Sequence, residues 1–550
     1  MKIRKYIFVV GGVISGVGKG VTTASTAKIL QSYGYKVTAM KIDPYVNVDA
    51  GTMNPTEHGE VFVLNDGDET DQDMGNYERF LGIPLTRDNY MTTGRVYLSV
   101  IQKERALAYE GKCVQVVPHI PYEVIERINR AIDKTNSEII VIEVGGTVGE
   151  YENILFLETA RMMKIKNPDD VLFVMVSYLP TPSTIGEMKT KPTQHAVRAL
   201  NSTGIQPDFI IARSNTPLDA KRKEKLALFC NIAPDNVISA PDVESIYDVP
   251  LNFEKDKLGE KILKQLKLKP RGINDGWDVW KNFITKVHKA KDKVRIAIVG
   301  KYFDTGDFVL SDAYLSIIEA LKYSACYLGK KPELVWLNAT DFESKISALE
   351  ELNSYDGILV PGGFGQRGVT GKLNVIRFAR EHKIPYFGIC YGMQLAVIEY
   401  ARNVLGIKDA ASHETDSTSK NLVIDIMESQ KELIKNCKMG GSMRLGSFLA
   451  LLKKGSIARS AYGVDEIHER HRHRFEVNQH YIEALEAKGI IFSGRSPDGK
   501  LMEIAELDKK DHPFFLGTQF HPEFQAHPLS PHPLFTAFVK AAIVKAKLKS

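Results

Sequence analysis

"VVGGVISGVGKGVTT", residues 9–23, decides the fold of the first half of this chain. The run before it, "KYIFVVGG" (5–12), is apolar and β-branched and reads as a buried strand. The run after it, "VTTASTAKILQSYG" (21–34), has helical spacing and ends on Gly34. A strand–glycine loop–helix unit of this kind points backbone amides at an anion on a helix N-terminus. The regular phosphate-binding loop reads G-x-x-x-x-G-K-[ST]. Around Gly18-Lys19 that pattern asks for glycine at 13 and a hydroxyl residue at 20, where Val13 and Gly20 stand. The physics still favours a nucleotide phosphate over a plain glycine-rich turn. Gly12, Gly16, Gly18 and Gly20 free the backbone, and Lys19 supplies a mobile charge for terminal phosphates. Thr22 or Thr23 is then the candidate for the missing hydroxyl beside Mg²⁺.

Further strand-like runs at 36–42, 138–146, 171–178 and 208–214 are separated by helical stretches. That alternation predicts an α/β architecture with a mostly parallel sheet. A Lys-rich segment, "EKDKLGEKILKQLKLKPRGIND" (254–275), reads as a solvated helix face followed by a linker. Strand–loop patterns then begin afresh at 294–302, 355–365 and 384–394. We expect a first domain over 1–270, a linker helix over 271–290 and a second domain over 291–550.

The 550 residues exceed what one core holds, which supports two or more domains. A formal net charge of +5 is small for this length and does not indicate a nucleic-acid binder. Cys113, Cys230, Cys326, Cys390 and Cys437 are scattered without a C-x-x-C pair, which argues for a reducing compartment and against zinc. No apolar run approaches the roughly 18 residues of a membrane span. The basic start runs straight into the phosphate loop and does not read as a signal peptide. A cytoplasmic protein without membrane partners is expected.

The second half carries a nucleophile pattern. "GICYGMQ" puts Cys390 between Gly388 and Gly392, the thiol counterpart of G-x-S-x-G. An apolar strand precedes it and a helical run follows, which places the sulfur at a helix N-terminus. A buried structural cysteine is the plain alternative. "GTQFHPEF" supplies His521 and Glu523 at i, i+2, which share one side of an extended segment. His521 is then a general base for Cys390, with Glu523 orienting its ring. Gly362-Gly363 in "VPGGFG" offers amides for an oxyanion hole. In "HERHRHRFEVN" (468–478), Arg470, Arg472 and Arg474 fall in one row and His471 and His473 in the other. Such a row is either a solvated edge or a grip for a carboxylate.

Taken together, "GGVISGVGKG", "MKIDPYVNVDAGTMNPTEHGEVFVLNDGDETDQDMG", "EVGGTVGE", "KTKPTQH", "PGGFG", "GICYGMQ", "ERHRHRFEVN" and "QFHPEF" resemble the CTP synthase family over nearly the whole chain. These are ligases that join a phosphate-loop amidoligase to a class I glutamine amidotransferase, and the irregular phosphate loop is their own pattern. The glutaminase half alone would indicate only the class I amidotransferases.

The resemblance implies amination of UTP to CTP with ATP and with ammonia from L-glutamine, through a 4-phosphoryl-UTP and a glutamyl thioester. It implies that Gly16, Val17, Gly18, Lys19, Gly20, Val21, Asp73, Pro241, Asp242 and Val243 bind ATP and that Asp73 and Glu143 carry Mg²⁺; by their charge Lys19 and Lys41 are the candidates for meeting the travelling phosphoryl group. UTP and the product CTP would use Ser15, Glu150, Tyr151, Glu152, Lys189, Thr190, Lys191, Pro192, Thr193, Gln194 and Lys225. Glutamine would sit on Gly363, Tyr391, Gly392, Met393, Gln394, Glu414 and Arg474, with Cys390, His521 and Glu523 catalytic. His58 and Val61 match the receiving end of an ammonia tunnel, and the loop 364–368 matches a lid that responds to GTP. The family implies GTP activation, CTP inhibition and a homotetramer. The rival readings are a corrinoid-acid amidase of related architecture and a filament-forming scaffold without catalysis; "KTKPTQH" and "DPYVNVDAGTM" favour the pyrimidine, and the intact Cys390, His521, Glu523 and Lys19 favour an enzyme.

Overall fold

The computed structural model describes residues 3–184, 186–272, 275–300, 304–305, 308–309, 311–344, 346–427, 430 and 440–549. Lys301 and Tyr302, the end of the expected strand 294–302, lie outside them, as does Cys437. The chain divides into two compact units, residues 1–50 with 73–284, and residues 51–72 with 285–550.

The first unit is built on a seven-stranded sheet: β1 (Lys5–Gly12), β2 (Val37–Asp43), β3 (Tyr90–Thr92), β4 (Ile139–Val144), β5 (Val171–Tyr178), β6 (Phe209–Ser214) and β7 (Val237–Pro241). Their spatial order is β3-β2-β4-β1-β5-β6-β7, with every pairing parallel. Parallel strands covered on both faces read as continuous apolar runs, which is why "IIVIEV" and "VLFVMVSY" were legible as strands. The side chains of Phe8, Ile140, Ile142, Phe173 and Ile210 are buried in its core. In such open sheets ligands bind beyond the carboxyl ends of the strands.

The second unit carries a nine-stranded sheet: β8 (Lys293–Gly300), β9 (Lys331–Asn338), β10 (Gly357–Val360), β11 (Tyr386–Ile389), β12 (Arg444–Leu452), β13 (Glu466–His473), β14 (Ile490–Arg495), β15 (Met502–Leu507) and β16 (Phe515–Thr518). The order is β9-β8-β10-β11-β16-β15-β14-β12-β13. The half from β9 to β16 is parallel and the rest antiparallel. Both units are therefore α/β, the first a mostly parallel sheet as expected.

The row of arginines is not a solvated edge. Although β13 is the last strand of its sheet, Arg470 and His471 are fully buried. The segment 51–72 covers that edge, and its short antiparallel hairpin (Phe62–Val63 with Glu69–Thr70) faces the row. Arg470 donates to Asn65 Oδ1 at 2.6 Å and to the Val63 carbonyl at 3.1 Å, and Arg472 donates to Glu69 Oε1 at 2.8 Å and to the Gly51 carbonyl at 3.2 Å. Glu60 accepts from the Ser316 backbone N–H at the start of the helix Leu315–Tyr327, where a carboxylate meets the positive end of the helix. Arg474 leaves the row: it follows the end of β13 and donates to Gln430 and Ser442.

Arg470→Ala leaves the Val63 carbonyl and Asn65 without their charged donor. Because hydrogen bonds from charged groups are the stronger ones, amides of residues 62–70 should exchange with solvent about tenfold faster or more. Hydrogen-exchange mass spectrometry measures this, and unchanged protection would show that the segment is held by other contacts.

Candidate functional site

In the first unit the chemistry gathers at the carboxyl ends of the strands. The helix Lys19–Ser32 follows the glycine loop, and its N-cap, Gly18, has φ 91°. That left-handed backbone suits glycine at the turn into the helix. Gly20 is required for a different reason. A Cβ there would lie 1.9 Å from Asp73 Oδ1. The carboxylate of Asp73, the first residue of the helix Asp73–Leu81, occupies the space in which the regular motif keeps its hydroxyl. Thr22 and Thr23 are buried within their helix.

Lys41, on β2, binds the same carboxylate. Its Nζ is 2.6 Å from Asp73 Oδ2, 2.9 Å from Glu143 Oε1 and 3.7 Å from Asp43 Oδ1. Tyr77 donates to the other oxygen of Glu143 in a short contact. Burial pushes Glu143 above the ordinary glutamate range, and the Lys41 charge opposes that without cancelling it. For Asp73 burial pulls upward too, but the charge and hydrogen bond of Lys41 prevail and hold it below its usual value. Lys19 donates from Nζ to the Gly146 carbonyl at 2.7 Å. Desolvation lowers its affinity for the proton, while Glu143 and Asp73 act the other way.

Three carboxylates, Asp43, Asp73 and Glu143, surround Lys41, with Lys19 near. Among the described residues no group of three or more His, Cys, Asp or Glu side chains forms a metal site on its own. Two carboxylates that need phosphate oxygens and water to complete a shell are the donor set Mg²⁺ takes, so Asp73 and Glu143 fit that ion.

Ser15 and Gly16 are exposed on the loop, Val17 is buried and Val21 half-buried in the first helical turn. Pro241 ends β7, and Asp242 accepts from Arg213 Nη2 at 3.0 Å, with Val243 next to it. Arg213, at the end of β6, is a residue that sequence reasoning missed. Its guanidinium also lies against the loop, 3.4 Å from where a Cβ on Gly18 would be. Lys189 pairs with Glu187 at 2.6 Å, and that carboxyl is held below its usual range by Lys189 first, then by Arg222 and Lys225. Thr190 caps the helix Lys191–Ser202, where Pro192 stands in the first turn. Thr193 accepts from Ser177 at 2.8 Å, and Gln194 donates to Thr190 at 3.2 Å. Glu150 accepts from the Thr147 N–H at 2.9 Å, while Tyr151 and Glu152 are exposed.

In the second unit Cys390 sits between β11 and the helix Tyr391–Asn403 with φ 50° and ψ −99°, the strained turn of a nucleophile elbow. A Cβ on Gly392 would lie 2.2 Å from the Val360 carbonyl, so the turn closes only with glycine. The Cys390 N–H donates to the Thr518 carbonyl at 2.6 Å, tying the elbow to β16. His521 follows that strand, and its Nδ1 is 2.7 Å from Glu523 Oε1. Burial alone would lower the His521 pKa; Glu523, and then the Cys390 sulfur and its hydrogen bond, push it up to about 10. The imidazole is held as a cation beside the sulfur at neutral pH. A cavity of about 70 Å³ joins Cys390, His521, Gly362, Gly363, Glu60 and Val61. His58 is exposed outside this lining. Of the expected glutamine residues, Tyr391 donates from its hydroxyl to the Gly365 carbonyl at 3.0 Å, and Glu414 accepts the Gly365 N–H at 2.5 Å. Gln394 is buried behind the sulfur with Met393 beside it, and Arg474 holds Gln430 and Ser442.

Two expectations follow. Gly20→Ser restores the hydroxyl of the regular motif yet displaces Asp73, and overpacking of this size should weaken Mg-ATP binding about tenfold or more by calorimetry; tighter binding would contradict the assignment. Glu523→Gln removes the charge that raises His521. Because the folded value lies above the usual 6.5, its stabilisation is complete below pH 6.5 and lost as pH rises toward 10. NMR titration should show the His521 transition moving to lower pH in the variant; a transition still near 10 would contradict the pairing.

The family model described as "CTP synthase N-terminus" matches residues 5–268, and the model "Glutamine amidotransferase class-I" matches residues 309–541. A "CTP synthase" of Sulfolobus acidocaldarius is 49% identical over 540 residues, covering 98% of this chain and 100% of that protein. One of Pyrococcus furiosus is 50% identical over 544 residues, covering 98% of each. A solved structure, "Trypanosoma brucei CTPS - glutaminase domain with bound acivicin", is 37% identical with a TM-score of 0.42, covering 46% of this chain and 94% of that one.

Proposed function

The chain belongs to the CTP synthase family, and from that premise we propose that it is the enzyme that converts UTP to CTP with ATP and with nitrogen from glutamine. The observation that carries this is the presence, in one chain, of a Cys390–His521–Glu523 constellation and a phosphate loop whose Lys19 stands near Lys41, Asp73 and Glu143.

The 4-oxygen of uracil is a poor leaving group until it is phosphorylated. ATP donates its γ-phosphoryl group to that oxygen, ammonia then attacks C4, and phosphate departs with the C–O electron pair. Such a transfer calls for positioning and charge neutralisation rather than covalent help. Lys19 and Lys41 supply the cations, and Asp73 and Glu143 would hold Mg²⁺, which when bound neutralises phosphate charge. Arg213 and Asp242 orient the nucleoside end of ATP. The Lys189, Arg222 and Lys225 neighbourhood suits a triphosphate and receives UTP, with product CTP competing there and its base toward Glu150 and Tyr151.

At the second site the Cys390 thiolate attacks the glutamine amide carbon, and the oxyanion meets the Gly362-Gly363 amides. The His521 cation gives its proton to the departing nitrogen, so ammonia leaves and a glutamyl thioester remains. Water, deprotonated by the now neutral imidazole, releases glutamate. Val61, expected at the receiving end of the ammonia tunnel, lines the cavity that holds Cys390, which supports a place at the start of the ammonia route instead. GTP as activator, acting through the loop 364–368, and a homotetramer complete the proposal. Leu98, Ile101 and Tyr122, more than two-fifths exposed on the helices Thr93–Arg105 and Val116–Lys134, support a subunit interface.

Cys390→Ala should abolish CTP formation from glutamine and leave formation from ammonia near the parent level. Lys19→Ala should lower both by about a hundredfold or more. Assay of CTP with each nitrogen source tests this, and ammonia-dependent activity that survives Lys19→Ala would overturn the phosphate-loop assignment.

A further inference from the structure

Gln519 lies between two residues already placed in the glutaminase site. Thr518 receives the Cys390 backbone N–H, and His521 takes the thiol proton. Gln519 lies two residues before His521, in the bend that follows β16. Gln519 is fully buried, and its Nε2 donates to Cys390 Sγ at 3.7 Å. Its Oε1 accepts from Gln394 Nε2 at 3.2 Å. Gln394 also donates from Nε2 to the Phe475 carbonyl at 3.1 Å. With both N–H bonds of Gln394 turned inward, only its carbonyl oxygen is left to offer a ligand ammonium group.

We propose that Gln519 is a positioning residue for the nucleophile, its amide N–H holding the Cys390 thiolate in line for attack, and that Gln394 fixes its orientation. This rests on the reading of Cys390 as the nucleophile and extends it. With its proton in place, Sγ donates to the Arg472 carbonyl at 3.8 Å. Once that proton has passed to His521 the sulfur can only accept, and the Gln519 N–H already points at it. An amide is the suitable partner because it donates without adding a second charge beside the His521 cation. The other ionisable groups around the sulfur are otherwise engaged: Glu523 bonds His521, and the Arg472 guanidinium is turned to Glu69. His471 and His473, deeper in the unit, are kept neutral by burial and by Arg444. Gln519 thereby joins the residue that reads the glutamine ammonium to the sulfur that attacks its amide.

The test is the rate at which iodoacetamide alkylates Cys390 in the full chain between about pH 6 and 9, with glutaminase kcat and KM measured in parallel. A hydrogen bond to a charged group is strong enough that Gln519→Leu should slow alkylation at pH 7 roughly ten- to hundredfold. The deficit should shrink as pH rises, and kcat should fall by a similar factor with KM changed less than about threefold. Gln519→Glu keeps the size but loses the donor, and should be slower still at pH 7. Ammonia-dependent CTP synthesis reports folding of each variant. If Gln519→Leu does not fold, Gln519→Glu decides. Wild-type alkylation rates in a folded variant overturn the proposal for Gln519 alone. Parent-level glutamine hydrolysis by Cys390→Ser would instead overturn the nucleophile reading beneath it.

Discussion

Asp73 and any side chain at position 20 would compete for one place. A Cβ on Gly20 would lie 1.9 Å from the Asp73 carboxylate, and the first site is organised around that exclusion. The carboxylate reaches the phosphate loop because position 20 is bare. It stays ionised because Lys41 sits 2.6 Å away, and Lys41 in turn draws in Glu143 at 2.9 Å. A hydroxyl on the loop has been exchanged for a charged oxygen from another helix. The exchange supplies a full charge where the regular motif supplies a dipole, at the cost of burying carboxylates that need lysines to stay ionised.

The two units solve a similar problem with different chemistry. Both place their reactive groups beyond the carboxyl ends of parallel strands, where backbone turns are short and side chains converge. In the first, Lys41 is paired with Asp73 and Glu143 beside the glycine loop. In the second, a strained turn presents Cys390 to His521, whose pKa is pushed up to about 10, first of all by Glu523. The segment 51–72 is part of that second unit through Arg470, Arg472 and Glu60, and it contributes Val61 to the cavity wall beside the sulfur.

Much of this was legible in the chain because the signals are local. "IIVIEV" and "VLFVMVSY" announce buried strands by nearly continuous hydrophobicity, and "GICYGMQ" announces a nucleophile turn by two glycines around a cysteine. What was not legible depends on long range. Nothing near Gly20 shows that a residue 53 positions later fills its space. The arginine row offered two readings, and the buried one follows only from Arg470 meeting Asn65 across 405 residues. Arg213 lies at the end of β6, where a search of strand termini would have found it. Gln519 gave no signal at all, because a glutamine two residues before a histidine is chemically ordinary until its amide is seen pointing at sulfur.

The central claim is that one chain makes ammonia at Cys390 and uses it at the nucleotide site. It is tested most directly with amide-¹⁵N glutamine, UTP and Mg-ATP, with unlabelled ammonium at low concentration in the medium, by the mass of the pyrimidine product. The account predicts CTP carrying one ¹⁵N, with one glutamate and one ADP formed per CTP. Glutamate released while UTP remains unaminated, or CTP whose nitrogen comes from the medium, would contradict it.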